Sequence, residues 1–140
     1  MKLKDLVHFI DHAFVSMLQE HGFIHIKVKA PTQTIVFRKV LDPWFIFINF
    51  QYSRWSTQNA QLLIVQTMRL MVDEPYLVNI RDKQGLYRPG SLVGNVSPEN
   101  SIGWEYHTLE ELTLLTEPLL AALKAEIQRL EDLSVSMNYD

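Results

Sequence analysis

The 140-residue chain predicts an α+β fold: a single domain in which an antiparallel meander sheet of about four or more strands is packed by an N-terminal and a C-terminal helix. Three observations carry this. Apolar residues recur at three- and four-residue steps near both ends of the chain. Between those stretches the period drops to two, the spacing of a strand with one buried face. The connections there are short and marked by proline, which favours antiparallel neighbours.

Composition sets the frame. At 47% hydrophobic and 21% charged residues the usage is that of an ordinary globular domain, and a chain of this length buries roughly two-thirds of its unfolded surface without staples. One domain over residues 1–134 is expected, with residues 135–140 fraying as a tail. The absence of cysteine excludes a disulfide framework and a thiolate metal site, and fits a reducing compartment. Asp5, His8 and Asp11 interrupt the apolar core a signal peptide would need. No apolar run approaches the roughly 20 residues of a membrane span. The expectation is a cytoplasmic protein with no membrane partner.

The first helix is expected over about residues 2–21, where Leu3, Leu6, Val7, Ile10, Phe14, Met17 and Leu18 form one stripe and Gly22 stops it. From Phe23 the period changes to two. Ile24, Ile26 and Val28 alternate with His25, Lys27 and Lys29, so the isoleucines are expected on the buried face. Ala30-Pro31-Thr32 breaks that strand, Thr34 to Leu41 forms the next, and Asp42-Pro43 turns the chain into an aromatic strand beginning at Trp44. The run Leu62 to Val72 is almost continuously apolar. It reads as a helix or as a strand buried on both faces, and periodicity does not separate the two.

After Asp73-Glu74-Pro75 the character changes. Four of the five glycines and two of the six prolines fall between residues 85 and 103. An irregular excursion at 82–103 is expected, flanked by short extended pieces at 76–81 and 102–106. Thr108 and Glu111 then make a capping box, and Leu112, Leu115, Leu119, Leu123, Ile127 and Leu130 stripe the last helix. Pro118 should kink or split it near Thr116.

Chemistry-bearing constellations are few. His8 and His12 stand four apart on the first helix, a spacing that suits two imidazoles on one metal, but their strip offers no third ligand. An exposed pair is expected there, with neither a metal site nor a cofactor. His21 suits the negative end of the helix. There is no nucleophile elbow and no phosphate-binding glycine loop, so no catalytic residues are assigned and no enzyme is expected. The paired acids Glu110/Glu111 and Glu131/Asp132 are explained by capping and solvation.

The end of the aromatic strand is the best candidate surface. Asn49, Gln51 and Ser53 share one strand face, and Ile48, Phe50 and Tyr52 share the other, the expected core face. Arg54 and Trp55 follow. Together these offer amides, a hydroxyl, a fixed positive charge and a stacking plane. The plainer alternative is that Asn49 and Gln51 face solvent on a one-sided sheet.

Charge is distributed unevenly. Residues 1–60 carry seven Lys/Arg against four acids, and residues 61–140 six against twelve. The basic excess of the strand-rich half is too small for a nucleic-acid surface. The acidic half is either a solvated helix or a face that steers a basic partner.

The stretch Asn49-Phe50-Gln51-Tyr52-Ser53-Arg54-Trp55, following a helix ended by Gly-Phe and a strand meander, resembles the bacterial family known as domain of unknown function 4304. Arg88-Pro89-Gly90-Ser91-Leu92 and Trp104 match its later Arg-x-Gly-x-Leu segment and Trp-containing strand, so the likeness spans about residues 5–130. Gly103-Trp104-Glu105 departs from the Trp-Trp pair frequent in that family. The resemblance implies a strand for Leu62 to Val72 and helices on an antiparallel sheet, and adds Arg88 and Trp104 to the candidate surface. It implies no activity.

Two functional expectations follow. One is a small bacterial binding protein without catalysis, such as an immunity protein that neutralises a toxin, binding through its acidic C-terminal half. The other is an enzyme or small-ligand binder using Gln51, Arg54, Arg88 and Trp104 in a cleft for a phosphate or carboxylate.

Overall fold

The computed structural model describes residues 3–27, 34–53, 61–73, 92–99, 101 and 103–132. Helices α1 (Leu3–Ala13) and α2 (Val15–Glu20) open the chain, then strands β1 (Ile24–Ile26), β2 (Thr34–Leu41), β3 (Trp44–Ser53), β4 (Gln61–Leu70), β5 (Leu92–Val96) and β6 (Trp104–Tyr106), and finally α3 (Leu109–Leu114) and α4 (Thr116–Glu131). The strands form one antiparallel sheet in the order β1-β2-β3-β4-β5, with β6 beside the start of β4. This is the α+β single-sheet architecture the periodicities predict.

The sheet has a helix face and a far face. Ile35, Phe37, Ile46, Ile48, Phe50, Leu63, Val65, Leu92, Val96, Trp104 and Tyr106 project toward the helices. They form one buried cluster with Leu6, Phe9, Ile10, Phe14, Met17 and Leu18 and with Leu112, Leu119, Leu123, Ile127 and Leu130. On the far face Val36, Phe47, Met68 and Leu70 make a smaller buried cluster, with Ile26, Phe45 and Val72 against it. The buried members of that cluster all belong to strands β2, β3 and β4. The strand β4 is therefore buried on both sides, which is why its sequence is nearly continuous in apolar residues and hides its period.

Each departure from expectation has a local cause. The N-terminal helix is broken at Phe14, whose backbone leaves helical geometry at φ −128° where its ring stacks on Phe50 at 5.7 Å. The phase of β1 is inverted. Gly22, at φ +88°, takes a left-handed conformation suited to glycine and turns Phe23 onto the helix face. Ile24 is left 56% exposed at the sheet edge, and His25 lies toward Phe37, ring centroids 5.5 Å apart.

The excursion expected at 82–103 contains a strand. Residues Leu92–Val96 pair with Val65 to Arg69, and the rest of it through residue 91 lies outside the described residues, as do 76–81 and the 133–140 tail. The last helix splits, as Pro118 predicts. Leu115 closes a tight turn by donating its N–H to Leu112 O at 3.0 Å. Pro118 then falls in the first turn of α4, where its missing N–H leaves no helical bond unmet.

Candidate functional site

The residues expected to make one surface are divided by the sheet. Asn49 pairs with Val36 and Gln66 on the far face and is only 2% exposed, so it is neither a solvated amide nor an open contact. Gln51, opposite Thr34 and Ile64, is half-buried on the same face. Ser53 ends β3 opposite Leu62.

Trp104 belongs to the other side. It pairs with Leu63 on the helix face, is buried, and donates its indole N–H to Val96 O at 2.8 Å. Gln51 and Trp104 thus cannot line one cleft, and the reading that put them together is corrected by strand parity. Arg54, Trp55 and Arg88 lie outside the described residues.

The sequence reading missed a polar system between the sheet and α4. Thr67 and Arg69 alternate on the helix face of β4 and are both fully buried. The Thr67 hydroxyl donates to Glu126 Oε2. Arg129, one turn further along α4, clamps the same carboxylate through Nε to Oε1 at 2.6 Å and Nη2 to Oε2 at 3.0 Å. Gly94, opposite Thr67 in β5, leaves the space the pair needs: a Cβ there would lie 2.8 Å from Glu126 Oε2 and 3.0 Å from Arg129 Nη2.

Arg69 closes the other end of this system. Its Nη1 donates to the carbonyls of Leu130 and Asp132, each at 3.0 Å, satisfying acceptors that a helix C-terminus leaves open. Its positive charge sits at the negative end of α4, and the guanidinium lies 4.8 Å from the centre of the Trp44 ring. Lys39 Nζ meets Glu131 Oε2 at 2.6 Å beside it. The interior charges of the α4 contact are committed to holding the helix.

An open feature lies elsewhere, between α1 and the α3–α4 corner. A cavity of about 370 Å³ is lined by Asp5, His8, Phe9, His12 and Ala13 on one wall and Leu109, Thr113 and Thr116 on the other. That is the size range of ligand and anchor pockets. Its walls are mostly apolar in character, and Leu109 is 46% exposed at its edge. Leu114, on the same short helix, is 79% exposed. Asp11, Glu110 and Glu117 are exposed nearby in sequence on the same helices. His8 and His12, expected as an exposed pair, are exposed and touch edge to face, ring centroids 4.3 Å apart.

The start of α3 is built as its capping box predicts, with one change. The Thr108 hydroxyl accepts the Glu111 N–H at 3.1 Å, but the Glu111 carboxylate accepts from the His107 backbone N–H, one residue before the cap, and also meets His107 Nδ1, both at 3.1 Å. These contacts hold the Glu111 carboxyl below the usual carboxylate range, the side-chain bond to His107 first and the backbone bond second.

No family model, no curated protein and no solved structure matches the chain. Among the described residues, no helix is long and apolar enough to cross a membrane.

Proposed function

We propose that this is a cytoplasmic bacterial binding protein without catalysis, which docks a basic, apolar-faced segment of a protein partner in the groove between α1 and α3. An immunity protein that neutralises a toxin is the form of this function we favour. The observation that carries the reading is the groove, with largely apolar walls, Leu109 left open at its edge and Asp5 in its lining; Leu114, Asp11, Glu110 and Glu117 are exposed on the helices that form it. Apolar centres with charged rims are how protein interfaces are commonly arranged. The acidic excess of residues 61–140 would steer a basic partner toward it. Glu126 and Glu131 are committed to structural contacts, whereas Glu110 and Glu117 are exposed, as steering charges must be.

The test is co-purification from the native host, followed by calorimetry with the protein recovered. The unmodified chain should bind it, with affinity falling as salt rises. Glu110→Lys with Glu117→Lys should weaken binding about tenfold or more, chiefly by slowing association. Leu109→Asp with Leu114→Asp should abolish it. A partner that binds all three chains alike would sink the proposal.

A further inference from the structure

We propose that His8 and His12 form a binding site for a borderline divalent transition-metal ion, of the zinc, nickel or copper(II) class, on the α1 wall of the groove. The two imidazoles stand one helical turn apart within α1, so the backbone already holds them on one strip. Their rings meet edge to face at 4.3 Å between centroids and 69° between planes. Rotation about the Cβ–Cγ bonds, a soft torsion for histidine, is the motion by which one nitrogen from each ring would reach a common ion, at the usual metal–nitrogen distance of about 2.0–2.1 Å. Both side chains are exposed, so an ion enters without opening the core.

Asp5 lies three residues before His8 and lines the same wall. A carboxylate on that wall would take the outer role that carboxylates commonly have at histidine metal sites. Among the described residues no three His, Asp or Glu side chains converge as a complete cage, and water completes the coordination. Two imidazoles select the nitrogen-preferring ions over magnesium and calcium, which take oxygen ligands.

The other histidines are differently employed. His107 is engaged with Glu111, His25 lies toward the ring of Phe37, and His21 ends α2. Nothing in this site depends on a docked partner, so the metal alone is the probe.

The experiment is calorimetry on the full chain, without a polyhistidine tag, titrated with zinc, nickel and copper(II) chlorides and with magnesium chloride as control. One ion per chain should bind saturably for at least one of the three. His8→Ala and His12→Ala should each weaken it about tenfold or more, and Asp5→Asn less. Sub-stoichiometric nickel should broaden the imidazole proton signals of His8 and His12 before those of His21, His25 and His107. Binding that survives in the double His8→Ala, His12→Ala chain overturns the proposal, as does the absence of saturable binding. Both histidines are exposed, and an unchanged far-ultraviolet spectrum will show that the variants remain folded.

Discussion

The two ends of the helical layer are seated on the sheet by different means. The N-terminal helices pack through an apolar set: Leu6, Phe9, Ile10, Phe14, Met17 and Leu18 are all apolar and buried. The rings of Phe9, Phe14, Phe50 and Phe37 form a chain with neighbouring centroids 5.5–5.9 Å apart. Helix α4 buries an equally apolar stripe but adds specific polar contacts at Thr67, Arg69 and Lys39. Apolar burial is non-directional and supplies most of the free energy. Hydrogen bonds to buried charges contribute less net stability but penalise every seating in which they go unmade. The difference suggests that α1 and α2 are held by volume, whereas α4 is held at one register.

The largest effect should come from removing volume on the first side. Phe14→Ala should cost about 3–5 kcal/mol, through lost burial and the cavity left behind. Phe14→Leu, which refills most of that space, should cost well under half as much. Urea denaturation measures both. A Phe14→Leu cost equal to that of alanine would mean that ring stacking, not volume, seats this helix.

On the second side, volume should not be enough. Arg69→Met keeps most of the side chain's bulk but uncaps the carbonyls of Leu130 and Asp132. It should cost on the order of 2–4 kcal/mol. Amide exchange should accelerate in the last turn of α4 before it does elsewhere. Uniform acceleration would show that Arg69 acts as filler.

The pair Thr67 and Glu126 permits a stricter test. Thr67→Val and Glu126→Gln should each destabilise by about 1–2 kcal/mol and couple in a double-mutant cycle. Gly94→Ala pushes a methyl against the same carboxylate and against Arg129 Nη2 and should cost about 1 kcal/mol, a penalty that shrinks when Glu126 is replaced by alanine. Additivity throughout would dissolve the distinction between the two ends.

How much of this was readable beforehand divides along the same line. The shape-held half was legible, because a stripe such as Leu6, Ile10 and Phe14 declares itself within one element. The boundaries of β2 and the start of β3 followed from alternation and from Asp42-Pro43. The phase of β1 was not legible, since an edge strand carries exposed isoleucine at little cost and the glycine turn at Gly22 decides which side faces in. Strand β5 was hidden for another reason. Its sequence Leu92-Val93-Gly94-Asn95-Val96 looks irregular because Gly94 makes room for a carboxylate 32 positions away in sequence. Thr67 and Arg69 did leave a period-two trace within β4. Their meaning depended on Glu126 and on the end of α4, and no local pattern contains that pairing. The groove was half visible: the spacing of His8 and His12 can be read directly, whereas the facing wall of Leu109 and Thr113 is set by the α3–α4 turn.

The smallest expected effect concerns where the register-held half begins. Glu111 is tied to His107 at the start of α3, and its carboxyl is held below the usual range by those contacts. A carboxylate depressed on folding stabilises the native state above its unfolded pKa, and that contribution is lost as pH falls through the lower, folded value. The stability difference between the unmodified chain and Glu111→Gln should therefore be constant from neutral pH down to the ordinary glutamate range and close below it. Parallel urea titrations of the two chains from pH 7 to about pH 3 would show this. A difference that does not vary with pH would mean that the carboxyl has the same pKa folded and unfolded, so that its contacts to His107 do not favour the charged form. The first turn of α3 would then owe its position to the Thr108 hydroxyl and to Leu112 beneath it, and the register-held half would begin only at Thr67.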